Sequence, residues 1–170
     1  MPSFKGFAQL QEPADLLAKL VHDFERVRTA PDDTYAAFDF FVTAEHIVDW
    51  LLPDSPGINQ SAIRKARRES SPLLKITSHI ANGAKHFQAL AKQHCSVSEL
   101  RQESGSFDSC SFSSRSFSPA SFQMHGLNIH LENGLVVHVL ALAEDVLSYW
   151  QKEMENQPSS LALPSTGPCA

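Results

Sequence analysis

The sequence predicts an all-α fold, a helical bundle of four to five helices with a small β-hairpin before the C-terminal helix. Three observations carry that expectation. Apolar residues recur every three or four positions through several segments, the period of an amphipathic helix. Prolines and N-capping residues fall between those segments, where helices stop and restart. Around Asn133-Gly134 the pattern changes to the alternation of paired strands. A hydrophobic content of 42%, with 11 phenylalanines in 170 residues, supplies the apolar surface of one core. A single domain is expected over residues 1–155, followed by a disordered tail over 156–170 that is rich in proline and serine.

In "PADLLAKLVHDFERVR", Leu16, Leu17, Leu20, Phe24 and Val27 share one face and predict a helix over 14–28. Pro31 and the two aspartates after it end that helix and start the next, expected over 33–52 and stopped by Pro53. "SAIRKARRE" reads as a short helix capped by Asn59 or Ser61. Ser71 followed by Pro72 marks another N-terminus, of a helix continuing to about residue 92. From 104 to 122 the composition shifts to nine serines and four phenylalanines, with Ser-Phe recurring at 106, 111, 116 and 121. Four such repeats make too little contact for a solenoid core. A long loop whose phenylalanines dock onto the bundle is expected there. Leu127, Ile129 and Leu131 alternate before Asn133-Gly134, predicting a hairpin over 127–138, and helical spacing resumes at Leu140, Ala143, Val146, Leu147 and Trp150. The final helix is expected over 139–155.

A formal charge of −5 and a pI near 5.9 argue against a whole-protein grip on nucleic acid or anionic membrane. The concentrated basic stretch Arg64, Lys65, Arg67 and Arg68 is read as a solvated helix face. Cys95, Cys110 and Cys169 are odd in number and scattered, with no C-x-x-C pair, and no signal-like apolar segment follows "MPSFKGFAQLQEP". A cytoplasmic protein is expected. The longest apolar run, "LVVHVLALA", is about half the length that spans a bilayer, so no membrane partner is expected.

At about 100° per residue, Tyr35, Asp39, Thr43, His46 and Trp50 fall in one stripe, with Ala37, Phe41, Ala44 and Val48 opposite. The same projection groups Lys75, His79, Asn82, Gly83 and His86 on the helix that begins at Pro72. Facing each other, the stripes would gather Asp39, Thr43, His46, His79, Asn82 and His86, with Gly83 letting the helices approach closely. Histidine titrates near neutrality, a carboxylate such as Asp39 can orient an imidazole, and lysine can offset phosphate charge. His79, His86, Asp39 and His46 are therefore the candidate catalytic residues. Asn82, Lys85, Thr43 and Tyr35 are the candidate substrate-binding ones. No Glu-x-x-His or His-x-x-x-His pair is present, so neither a metal nor another cofactor is expected. A fully connected buried polar network that only fixes helix register is the competing reading.

The segments "AFDFFVTAEHIVDWLLP" and "ITSHIANGAKHF", closed by a hairpin and a helix ending "VLSYW", resemble a group of small uncharacterised bacterial helical proteins with TAEHxxDW and SHxANGxKHF motifs. The resemblance covers most of residues 33–155. More distantly the chain is similar to the HEPN superfamily of helical bundles, whose members include RNA-cleaving toxins and nucleotide-binding partners in bacterial defence and toxin–antitoxin systems. The asparagine and terminal histidine of "NGAKH" match that style of motif, which implies Asn82 and His86 as positions to carry over. Ribonucleases of the superfamily carry an arginine separated from the histidine by four to six residues, whereas positions 79 to 81 here hold His79, Ile80 and Ala81. Lysine lacks the guanidinium fork that would replace it.

Two readings follow. One is a HEPN-like interaction module, with a protein partner or as a homodimer, in which the stripes fix packing. The other is an RNA- or nucleotide-directed enzyme using His79 and His86 as base and acid, with Asn82 and Lys85 holding phosphate. The missing Arg–His motif favours the first.

Overall fold

The computed structural model describes residues 7–52, 59–86, 96–103 and 126–156, apart from the side chains of Lys85 and His86. Among them are α1 (Pro13–Thr29), α2 (Thr34–Trp50), α3 (Gln60–Glu69), α4 (Pro72–His86), β1 (Val97–Glu103), β2 (Gly126–Leu131), β3 (Val136–His138) and α5 (Val139–Glu155). The fold is mainly helical, with a three-stranded antiparallel sheet in the order β1-β2-β3. The expectation of a bundle with only a hairpin is thus corrected by one strand. The Ser/Phe-rich stretch at 104–122, the helix beyond 86 and the tail from 157 lie outside the described residues.

Local chemistry explains the helix starts. Pro13 stands at the first position of α1, and Asp15 Oδ2 accepts the backbone N–H groups of Gln11 and Glu12 at 2.9 and 3.0 Å. Asp33 caps α2, its Oδ1 accepting from the amides of Tyr35 (2.8 Å) and Ala36 (3.2 Å), and Asn59 caps α3 through Ala62 N–H at 3.0 Å. The cap of α5 is a histidine. His138 ends β3 and its Nδ1 accepts the Leu140 amide at 3.3 Å, so the strand runs straight into the helix.

The hairpin turn is Glu132-Asn133-Gly134, with Gly134 at φ +83° and the Leu131 amide donating to Leu135 O at 2.8 Å. This is a three-residue loop, in which the glycine takes the left-handed position. Strand β1 went unrecognised because "VSELRQE" is mostly polar and its outward face meets solvent. It pairs with β2 from Val97↔Leu131 to Glu103↔Gly126, with a bulge between Val97 and Glu99.

The core lies between α1, α2, α5 and the inner face of the sheet. Leu16, Leu20 and Val27 of α1 meet Phe40 and Ala44 of α2, Leu127 and Ile129 of β2, and Val139, Leu142, Val146 and Trp150 of α5. Phe40 and Phe41 stack edge to face at 5.3 Å. These contacts make α2 the central helix, as its nearly all-round apolar character requires.

Candidate groove between α2, α4 and β1

Beside α2 the packing leaves a groove of about 370 Å³. Thr34, Ala37, Phe38 and Phe41 form one wall, His79, Ile80, Gly83 and Ala84 the other, and Val97, Ser98 and Leu100 the third. The bulge in β1 explains that third wall. An extra residue interrupts the two-residue alternation of the strand, which brings the neighbours Val97 and Ser98 to the same side as Leu100. Ser98 Oγ donates to His130 O at 2.9 Å, so the irregularity leaves that carbonyl with a partner. Gly83 contributes openness. A Cβ built there would meet nothing within 4 Å, so the glycine widens the groove rather than admitting a close helix as its position in the stripe predicts.

His79 is the most informative of the candidate residues. Its Nδ1 accepts the backbone N–H of Val97 at 2.9 Å and of Ser96 at 3.3 Å. An imidazole nitrogen that accepts from backbone amides holds its lone pair there, which assigns the ring proton to Nε2. The side chain therefore ties the start of β1 to α4. Asn82 turns back along its own helix, Nδ2 donating to Ser78 O at 2.8 Å. The side chains of Lys85 and His86 lie outside the described residues.

The polar stripe of α2 faces α1 rather than α4. Asp39 Oδ2 accepts from Arg26 Nη1 at 2.6 Å, half-exposed. Thr43, buried, donates to Asp23 Oδ2 at 2.7 Å and accepts from Lys19 Nζ at 2.8 Å, while Lys19 also donates to the same Asp23 oxygen at 2.5 Å. His46 is exposed, and Tyr35 is 80% exposed. The four candidates on α2 are thus not brought to His79. The reason is a complementary stripe on α1: Lys19, Asp23 and Arg26, spaced four and three apart, present charges where α2 presents Thr43 and Asp39. That spacing was visible in the sequence, behind the apolar face by which α1 was read.

The face that α2 does turn toward α3 and α4 carries Glu45 and Asp49. Arg68 pairs with Glu45 Oε1, Ser78 Oγ donates to the same oxygen at 3.3 Å, and Arg64 pairs with Asp49. Burial, the largest influence, pushes the Glu45 carboxyl above its ordinary range, with Arg68 pulling it back. Sequence reading missed this cluster. Its signal is two i, i+4 pairs of opposite sign, Glu45/Asp49 and Arg64/Arg68, on neighbouring helices. The basic stretch is accordingly no solvated face: Arg64, Arg67 and Arg68 turn inward onto carboxylates, and only Lys65 of the four cations is largely exposed.

On the outer face of the sheet, Asn128 Nδ2 donates to Glu103 Oε2 at 2.9 Å and His130 Nε2 meets Glu103 Oε1 at 3.2 Å. A carboxylate so placed fixes an imidazole's orientation. Among the described residues no group of three His, Cys, Asp or Glu side chains is gathered as a metal site, and no helix is long and apolar enough to cross a membrane. No protein-family model matches the chain, and neither a curated protein nor a solved structure is significantly similar to it.

Proposed function

We propose that the protein is an interaction module whose groove between α2, α4 and β1 receives an apolar anchor from a protein partner, a second copy of the chain included. The observation that carries this reading is the groove itself. Its walls are mostly apolar, Phe38 and Leu100 stay 46% and 37% exposed at its sides, and its volume suits one or two large side chains. The HEPN resemblance without the Arg–His motif points the same way.

At four of its candidate residues the geometry lends the enzymatic alternative little support. His79 spends its Nδ1 lone pair on backbone amides, Asp39 and Thr43 serve α1, and His46 stands in solvent. A general base needs both a lone pair and reach to the reacting proton. A scan of peptides against the full chain tests the proposal. Binders should carry an aromatic or aliphatic anchor and lose roughly tenfold or more in affinity for Gly83→Leu, which fills the groove from a position with room for a side chain. Sedimentation at rising concentration reads self-association through the same variant. Metal-free RNA cleavage or nucleotide turnover that disappears in His79→Ala, while that variant stays folded, would contradict the module.

A further inference from the structure

We infer that α3 is a charge-held clasp, a helix that leaves the bundle as ionic strength rises while α1, α2 and α5 stay folded. Ordinary amphipathic helices turn their apolar side inward. In α3 the arrangement is reversed. Ala62, Ile63 and Ala66 are exposed, no side chain of the helix is buried, and the inward positions belong to Arg64, Arg67 and Arg68.

Each arginine reaches a carboxylate on another helix. Arg64 pairs with Asp49 and Arg68 with Glu45, both on α2, and Arg67 Nη2 meets Glu153 of α5 at 2.5 Å. The Arg67 guanidinium also lies 5.8 Å from the centre of the Trp150 ring. Such pairs hold orientation well and affinity poorly, because charges that part regain their hydration. With no apolar burial behind them, the pairs set the docking strength of α3. Salt acts on that balance directly: the screening length falls from about 10 Å at 0.1 M to about 3 Å at 1 M.

The consequence is a gated surface. Ser70 and Ser71 are the only residues between α3 and α4, so the helix swings from a short connection. Its departure bares an acidic face of Glu45, Asp49 and Glu153 together with the covered side of Trp150, and frees the cations of α3. While the helix is docked, Glu45 is buried, and Asp49, Glu153 and the three arginines are partly covered and paired with one another.

Hydrogen exchange of the full chain at low and high sodium chloride tests the clasp. The amides of α3 should exchange roughly tenfold faster at about 1 M than at about 0.05 M salt, with those of α1, α2 and α5 unchanged within about twofold. Arg67→Glu should accelerate α3 at low salt by roughly fivefold, and adding Glu153→Arg should restore it, since the reversed pair rebuilds the contact. Circular dichroism confirms that both variants keep their helices. Acceleration of all helices together by salt, protection of α3 equal to that of α2 at both salts, or failure of the reversed pair to restore protection would overturn the inference.

Discussion

Helix α2 carries polar side chains on two sides, and the two sides differ in what surrounds them. Toward α1, the Lys19–Asp23–Thr43 cluster lies among Leu20, Phe24, Val27 and Phe40, in a contact built chiefly by apolar side chains. Toward α3, the Glu45 and Asp49 pairs face a helix with no buried residue of its own. A polar contact takes its strength from the apolar packing around it. In the first, hydrogen bonds satisfy groups that burial has already brought together. In the second, the charges themselves do the bringing, and water competes for them.

The largest effect should come from breaking the first cluster. Asp23→Ala leaves Thr43 buried without its acceptor and Lys19 without its carboxylate, and should cost about 2–3 kcal/mol in urea unfolding. Adding Thr43→Val should recover part of that loss. Next is Gly126→Ala at the start of β2, where φ is +134° and the new Cβ would lie 2.8 Å from His138 Nε2. A cost of about 1–3 kcal/mol in the same measurement is expected, because neither the backbone conformation nor the facing His138 imidazole leaves room for a side chain there.

The second cluster is sharpened by pH. A carboxyl raised in the folded state binds its proton more tightly there than in the unfolded chain. Its contribution to stability is complete below the ordinary glutamate value of 4.5 and is lost as pH rises through the folded-state value. The stability of the natural chain minus that of Glu45→Gln should therefore grow as pH falls from neutrality toward 4.5, read by chemical unfolding at each pH. A difference that stays flat would separate Glu45 from the titration. The smallest effect is favourable: Gly83→Ala should raise the melting temperature, gaining about 0.5–1 kcal/mol, since helix propensity improves and nothing lies within 4 Å of the added carbon.

Much of the fold was legible in the chain. Asp33, Asn59 and Pro72 mark helix starts where the structure has them, and Ala143, Val146, Leu147 and Trp150 of the recurrence lie on the buried face of α5, with Leu140 only partly buried. Strand β1 was not legible, because a half-exposed strand with polar residues on both sides of a bulge shows no clear alternation. The site was legible in parts only. His79 and Gly83 do line one groove on α4, yet Asn82 turns back to Ser78 and the partner stripe of α2 turns to α1.

Local sequence determined the helices and the hairpin, since capping, proline geometry and apolar period act within a few residues and depend little on what lies across the core. Which faces meet was decided by the tertiary structure. The rotation of α2 depends on Lys19, Asp23 and Arg26 on one side and Arg64 and Arg68 on the other competing for its charged residues, while Phe40, Phe41 and Ile47 claim the core. A helical projection describes one cylinder, and the energy that orients it comes from the surfaces of its neighbours.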